Sequence, residues 1–159
     1  MTISKTLIHL LVLCVFAAFS TAQQKVTLEG VWEMLSAKSD GKEEPMSGRQ
    51  LKTITKTRWT WIYHDKDKAM SLFAKKTHED SLLAFADPFG AGAGSYKLVG
   101  NTYTETIELF RNLNYIGLSI DFTVKVEGDR MFQTGKFPVF EGGKKVREIL
   151  LEEVYKRIE

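Results

Sequence analysis

"GLSIDFTVKVEG", Gly117 to Gly128, alternates with a period of two. Leu118, Ile120, Phe122, Val124 and Val126 fall on one face; Ser119, Asp121, Thr123, Lys125 and Glu127 fall on the other. A strand with one wet and one dry face belongs to an antiparallel sheet packed on one side only. "NTYTETIELF" (101–110) repeats the pattern, with Tyr103, Glu105, Ile107 and Leu109 sharing a face. "RWTWIYH" (58–64) gathers Trp59, Trp61 and Tyr63 on one side.

Turn signals divide these runs. Gly100-Asn101 marks a two-residue hairpin, "EGDR" (127–130) a second and "EGGK" (141–144) a third. "DKDK" (65–68) reads as a link between the Trp59 strand and a following strand in "AMSLFAKK" (69–76). The last segment, "KKVREILLEEVYKRIE" (144–159), fits either period. The glycine hairpin before it and its β-branched residues favour a strand. "THEDSLLAFADPFGAGAGS" (77–95) is a long insertion with a short helix expected at Glu79–Ala86 and a flexible or bent hinge at "GAGAG". The expected fold class is all-β: a single antiparallel up-and-down barrel of about eight to ten short strands, with a sandwich as the other closed solution.

The first 22 residues read as an export signal. Lys5 supplies a short basic start, Leu7–Phe19 an apolar run too short to span a membrane, and Ser20 and Ala22 the small residues before a cut after Ala22. Cys14, the one cysteine, lies inside that run behind bulky Leu13, which argues against a lipoprotein. Cleavage leaves residues 23–159 as one barrel domain that begins at Gln23 and has no disulfide to support it. Losing Lys5 brings the formal charge from +2 to +1. With no long run of either sign, no nucleic-acid surface is indicated, and no further segment is suited to a bilayer. The expected location is the periplasm or the exterior.

Three stretches, "QLKTITKTRWTWIYHD" (50–65), "GAGSYKLVGNTYTETIE" (92–108) and "LEEVYKRIE" (151–159), together resemble a lipocalin-like family of uncharacterised bacterial secreted proteins. Gly30-x-Trp32 at the first strand resembles the lipocalin signature. The resemblance implies a small barrel open at one end, with no established ligand. It also implies that Trp32 plugs the closed end under an arginine of the last strand, for which Arg157 is the fitting residue. Gly30 then permits a bend or close backbone approach. The chain departs from standard lipocalins in lacking a "TDY"-like motif and a clear helix after the barrel.

An inward apolar face places Trp59, Trp61, Tyr63, Tyr103, Ile120, Phe122 and Met131 inside. These side chains either fill the barrel or form the wall of a pocket for an apolar ligand. Glu105 shares that face, and a buried carboxylate needs a partner. Arg147, Gln133, a tyrosine hydroxyl or a ligand could provide one. The leading expectation is a binding protein for a small, mostly apolar molecule. Trp59, Trp61, Tyr63, Tyr103 and Phe122 form its wall, Glu105 and Arg147 orient a polar end, and the insertion serves as a lid. The alternative is a filled barrel that meets a protein partner through residues 77–95, including Leu82, Leu83, Phe85 and Phe89. A barrel enzyme using Glu105 is a remote third. No catalytic triad, metal motif or cofactor motif is present: His64 and His78 stand apart, and "GAGAG" lacks the Lys-Ser/Thr of a phosphate loop.

Overall fold

A computed structural model describes residues 27–74 and 77–159. The expected export segment, with Cys14 and the cut after Ala22, lies outside the described residues. In chain order the elements are β1 (Gly30–Ser39), β2 (Lys42–Glu43), β3 (Arg49–Ile54), β4 (Arg58–His64), α1 (Lys66–Phe73), α2 (His78–Ala86), β5 (Phe89–Val99), β6 (Thr102–Phe110), a 3-10 turn (Leu113–Tyr115), β7 (Ser119–Glu127), β8 (Arg130–Glu141) and β9 (Lys144–Arg157).

Eight strands run up and down in sequence order, from β1 through β3 to β9, each antiparallel to the next. Pairing of β1 with β9, from Trp32 opposite Arg157 to Ser39 opposite Leu151, closes the barrel. Closure removes the exposed edges that an open sheet would carry. The short β2 pairs with the far end of β1 as an extra strand. Inward positions follow the alternation: Ile120, Phe122 and Val124 of β7 are buried between exposed Ser119, Asp121, Thr123 and Lys125. They join Leu28, Trp32, Ile54, Trp59, Tyr103, Ile107, Met131 and Tyr155 in one core.

The floor is built around Trp32, which is fully buried. Its indole N–H donates to the Leu28 carbonyl at 2.8 Å. The Arg157 guanidinium carbon sits 4.1 Å from the Trp32 ring centroid. The same guanidinium donates to the Thr27 carbonyl at 2.9 Å and to that of Glu29. Gly30 has φ +141°, and a Cβ there would run into Arg157 Nη1 and the Glu159 carbonyl. Only glycine passes this point without strain.

Three local expectations give way to the structure. The segment after Trp59–His64 is helical rather than a strand. Buried Asp65 accepts the Lys68 N–H at 2.9 Å and so starts α1, as an acidic residue at a helix start does. Thr77 caps α2 by accepting the Asp80 N–H at 3.0 Å. "GAGAG" is no hinge but the middle of β5, paired along its length with β4. Trp61 faces Gly92 and Trp59 faces Gly94 across that pair. A Cβ on Gly90 would meet Trp61 Cη2 at 2.8 Å, and one on Gly92 would meet Trp61 Nε1 at 2.6 Å. One on Gly94 would strike the Thr106 carbonyl. The alternating glycines therefore clear a trough in the inner wall in which the two indoles lie. Finally, the β5–β6 register shifts between Ala93 and Gly94, making Glu108 an extra residue. Such a bulge flips the side chains beyond it. Leu109, expected inside, is 67% exposed, and Phe110 turns inward.

Candidate functional site

Above the floor the barrel holds a cavity of about 110 Å³. Trp59, Trp61, Ile107, Phe110, Phe122, Phe137 and Leu151 supply its apolar lining; Gln50, Lys52, Glu105, Gln133, Glu153 and Tyr155 supply the rest. The polar residues come from β3, β6, β8 and β9; Lys52, Glu105, Gln133 and Glu153 form one run of contacts, and Gln50 meets Tyr155. Lys52 is 3% exposed and Glu105 6%. Lys52 Nζ lies 2.6 Å from Glu105 Oε1. It also donates to Gln133 Oε1 at 3.0 Å, and Gln133 Nε2 donates to Glu153 Oε2 at 3.0 Å. Gln50 Nε2 donates to the Tyr155 hydroxyl at 3.3 Å.

Aromatic rings surround the ammonium. Lys52 Nζ is 5.5 Å from the centroids of Tyr103 and Tyr155, 5.9 Å from Trp59 and 6.0 Å from Phe122. At that range the negative ring faces attract a cation. The contact with Glu105 is off the line of a hydrogen bond. Among the described residues, Glu105 Oε1 and the Tyr103 hydroxyl have no hydrogen-bond partner.

The electrostatics follow from burial. Tyr103 is pushed well above the usual phenol range by burial, and the nearby Glu105 charge adds to the effect. Tyr155 moves the same way, from burial first and then the Glu153 and Glu105 charges. Both phenols therefore stay neutral. The Glu153 carboxyl is raised above its ordinary value by burial, a shift opposed by Lys52 and reinforced by Glu105. Removing a carboxylate from water disfavours its charged form.

The sequence-derived residues divide between places. Trp59, Trp61, Glu105 and Phe122 line the cavity, and Tyr103 packs beside it. Tyr63 does not line it. Its half-buried ring flanks an outer hollow at the rim of β3 and β4, with its hydroxyl 3.2 Å from Ser47 Oγ. Arg147 does not approach Glu105 and is exposed, 3.4 Å from Asp40 Oδ2. The reason is that β1 pairs with β9 only from Leu151 onward. Residues 144–150 pair with the end of β8 as a two-stranded ribbon beyond the barrel, where there is no interior to face. Among the described residues no three His, Cys, Asp or Glu side chains converge as a metal group.

Lys52 and Glu153 were not anticipated from the sequence. Lys52 stands two residues before buried Ile54, and Glu153 two before buried Tyr155, so the period-two pattern already aims both inward. The mouth was also not foreseen. Tyr115, from the 3-10 turn, lies 4.9 Å from the Phe110 ring and 5.1 Å from those of Phe137 and Phe140. Its hydroxyl donates to the Pro138 carbonyl at 2.9 Å. Trp61 meets Phe110 edge-on at 5.5 Å. A line of rings thus crosses the open end of the barrel.

No family model matches the chain, and no curated protein matches it. Among solved structures, the crystal structure of the uncharacterized protein YLR301w from Saccharomyces cerevisiae is similar. Its TM-score is 0.52 at 14% sequence identity, over 79% of this chain and 51% of that one. This chain thus spans about half the length of the yeast protein. The likeness is one of fold.

Proposed function

We propose that this chain is an exported binding protein of the lipocalin-like kind. It holds a small, mostly apolar molecule with one polar end inside its barrel, in the periplasm or outside the cell. The observation that carries this reading is the roughly 110 Å³ interior cavity, lined by aromatic rings and by buried Lys52, Glu105 and Gln133. Trp59, Trp61, Phe110, Phe122 and Phe137 give the apolar body of a ligand flat surfaces to lie on. Glu105 fixes the polar end. The volume is that of about four waters at roughly 30 Å³ each. It is well below the roughly 300–1,000 Å³ of pockets for drug-sized molecules. The ligand therefore has only a few heavy atoms, unless the rings at the mouth swing aside. Native mass spectrometry of protein purified from its own host tests the reading. A retained small molecule, lost or weakened in Glu105→Gln, supports it. A bare chain mass with equal uptake by both forms of any added molecule makes Glu105 a scaffold residue and the barrel a solid one.

A second reading is supported by the outer surface. Leu82 and Leu83 of α2 are 58% and 45% exposed, and Phe89 at the start of β5 is 45% exposed. Phe89 and Ile62 also border two outer hollows of about 500 and 470 Å³. On this reading the barrel is a scaffold, and residues 77–95 meet a protein partner. It is favoured if the host-purified chain carries no small molecule and a co-purifying protein is lost in Leu82→Ser/Phe89→Ser.

A further inference from the structure

The barrel interior is one cation short. Two carboxylates, Glu105 and Glu153, face the cavity with a single ammonium, that of Lys52, and Lys52 is spent on Glu105. Among the described residues no lysine or arginine lies within ion-pair reach of Glu153; it accepts a hydrogen bond from the Gln133 amide instead. Burial holds its carboxyl toward the protonated form, as expected of an acid without a counter-ion.

The interior already displays how it treats an ammonium. Lys52 Nζ sits among four ring centroids at 5.5–6.0 Å with a carboxylate at 2.6 Å. The unfilled part of the barrel repeats those ingredients, with Trp61, Phe110 and Phe137 as ring surfaces and Glu153 as the acid. From this we propose that the cavity binds a small primary ammonium compound. Its charged end sits between Glu153 and Glu105, and its short apolar tail lies against the mouth aromatics. An anion there would face two acids. A neutral guest would leave Glu153 holding its proton and gain no ion pair. A cation gains both the carboxylate and the ring faces. The inference rests on the proposed binding function and narrows it to one ligand class.

The test titrates the host-purified protein at pH 7 with propylammonium, propionamide and propionate, three probes of similar size and different charge. Saturable change in tryptophan fluorescence is the readout, checked by calorimetry. Propylammonium should saturate and propionate should not. Glu153→Gln, nearly isosteric and checked for folding by its melting curve, should weaken propylammonium by about tenfold or more, the scale of a charge-assisted hydrogen bond. The wild-type charge series stands even if that variant fails to fold. If propionamide or propionate saturates as well as propylammonium, the cation assignment is overturned while the binding function stands. If none saturates and host-purified protein carries no small molecule, both fall.

Discussion

Replacing Lys52 with methionine probes the polar interior directly. Methionine keeps the long stem that packs among Trp59, Tyr103, Phe122 and Tyr155 and deletes only the ammonium. The change leaves Glu105, 6% exposed, without its cation, and takes the donor from Gln133 Oε1. Breaking a buried pair from one side costs about 3–5 kcal/mol, because the remaining charge is stranded away from water. Domains of this size have about 5–15 kcal/mol in total, so about a fifth of the stability or more is at stake. With a urea slope of about 2 kcal/mol per molar, the midpoint should fall by on the order of 2 M. Urea unfolding at pH 7, followed by the fluorescence of buried Trp32 and Trp59, reads it. Removing both charges in Lys52→Met/Glu105→Leu should restore most of the loss, since an apolar pair in the same space often matches or exceeds an ionic one. A single variant within about 1 kcal/mol of wild type would refute the reasoning. So would a double variant no more stable than the single.

Three further outcomes follow from the geometry. Arg157→Ala loses the contact over Trp32 and two hydrogen bonds to backbone carbonyls; it should cost about 1–3 kcal/mol and lower Tm by about 3–10 °C in calorimetry, and an unchanged Tm would remove Arg157 from the floor. Gly94→Ala drives a methyl into the Thr106 carbonyl and against the Trp59 indole; it should cost at least about 1–3 kcal/mol, whereas Ala93→Ser, on the outer face, should stay within about 0.5 kcal/mol. Because burial raises the Glu153 carboxyl in the folded state above its ordinary 4.5, the folded chain holds that proton longer than the unfolded one. Its contribution is present below pH 4.5 and is lost as pH rises through the folded value. The stability of Glu153→Gln relative to wild type should therefore grow from pH 4 toward pH 7, and a flat difference would place Glu153 in water.

What the sequence carried was the period. Alternation in 58–64, 101–107 and 117–128 set the strands and named Trp59, Tyr103, Glu105 and Phe122 as inward, because one dry face is a local property of each strand. It did not carry what depends on a neighbour. Glycines in "GAGAG" suggest looseness when read alone; only the register of Trp59 opposite Gly94 and Trp61 opposite Gly92 shows them as clearance for two indoles. Leu109 left the inner face through a bulge that no residue in "TIELF" announces. Arg147 has the same parity as Tyr155, yet the ribbon it occupies extends past the point where β1 closes the barrel. Lys52 was legible by parity with Ile54, but a lysine weighs toward water until Glu105 and four rings are seen around it.

The placement of the polar residues bears on why they are there at all. An eight-stranded barrel can fill its interior with side chains, and the floor here does so with Leu28, Trp32, Ile54, Val124 and Met131. In the cavity layer, apolar residues would pack the same space with no desolvation of charges and equal or better stability. Instead Lys52, Glu105, Gln133 and Glu153 meet in that layer alone, next to the volume left unfilled. A stabilising role and a ligand role then predict opposite results for Lys52→Met/Glu105→Leu. If the layer exists to hold the barrel together, the double variant should unfold more easily and bind propylammonium unchanged. If it exists to receive a charged guest, the double variant should match or exceed wild type in urea while its saturable propylammonium response falls by about tenfold or more. Calorimetric titration and urea unfolding on the same preparation separate the two. A variant that gains stability and keeps its full response would mean that Glu105 takes no part in holding the cation.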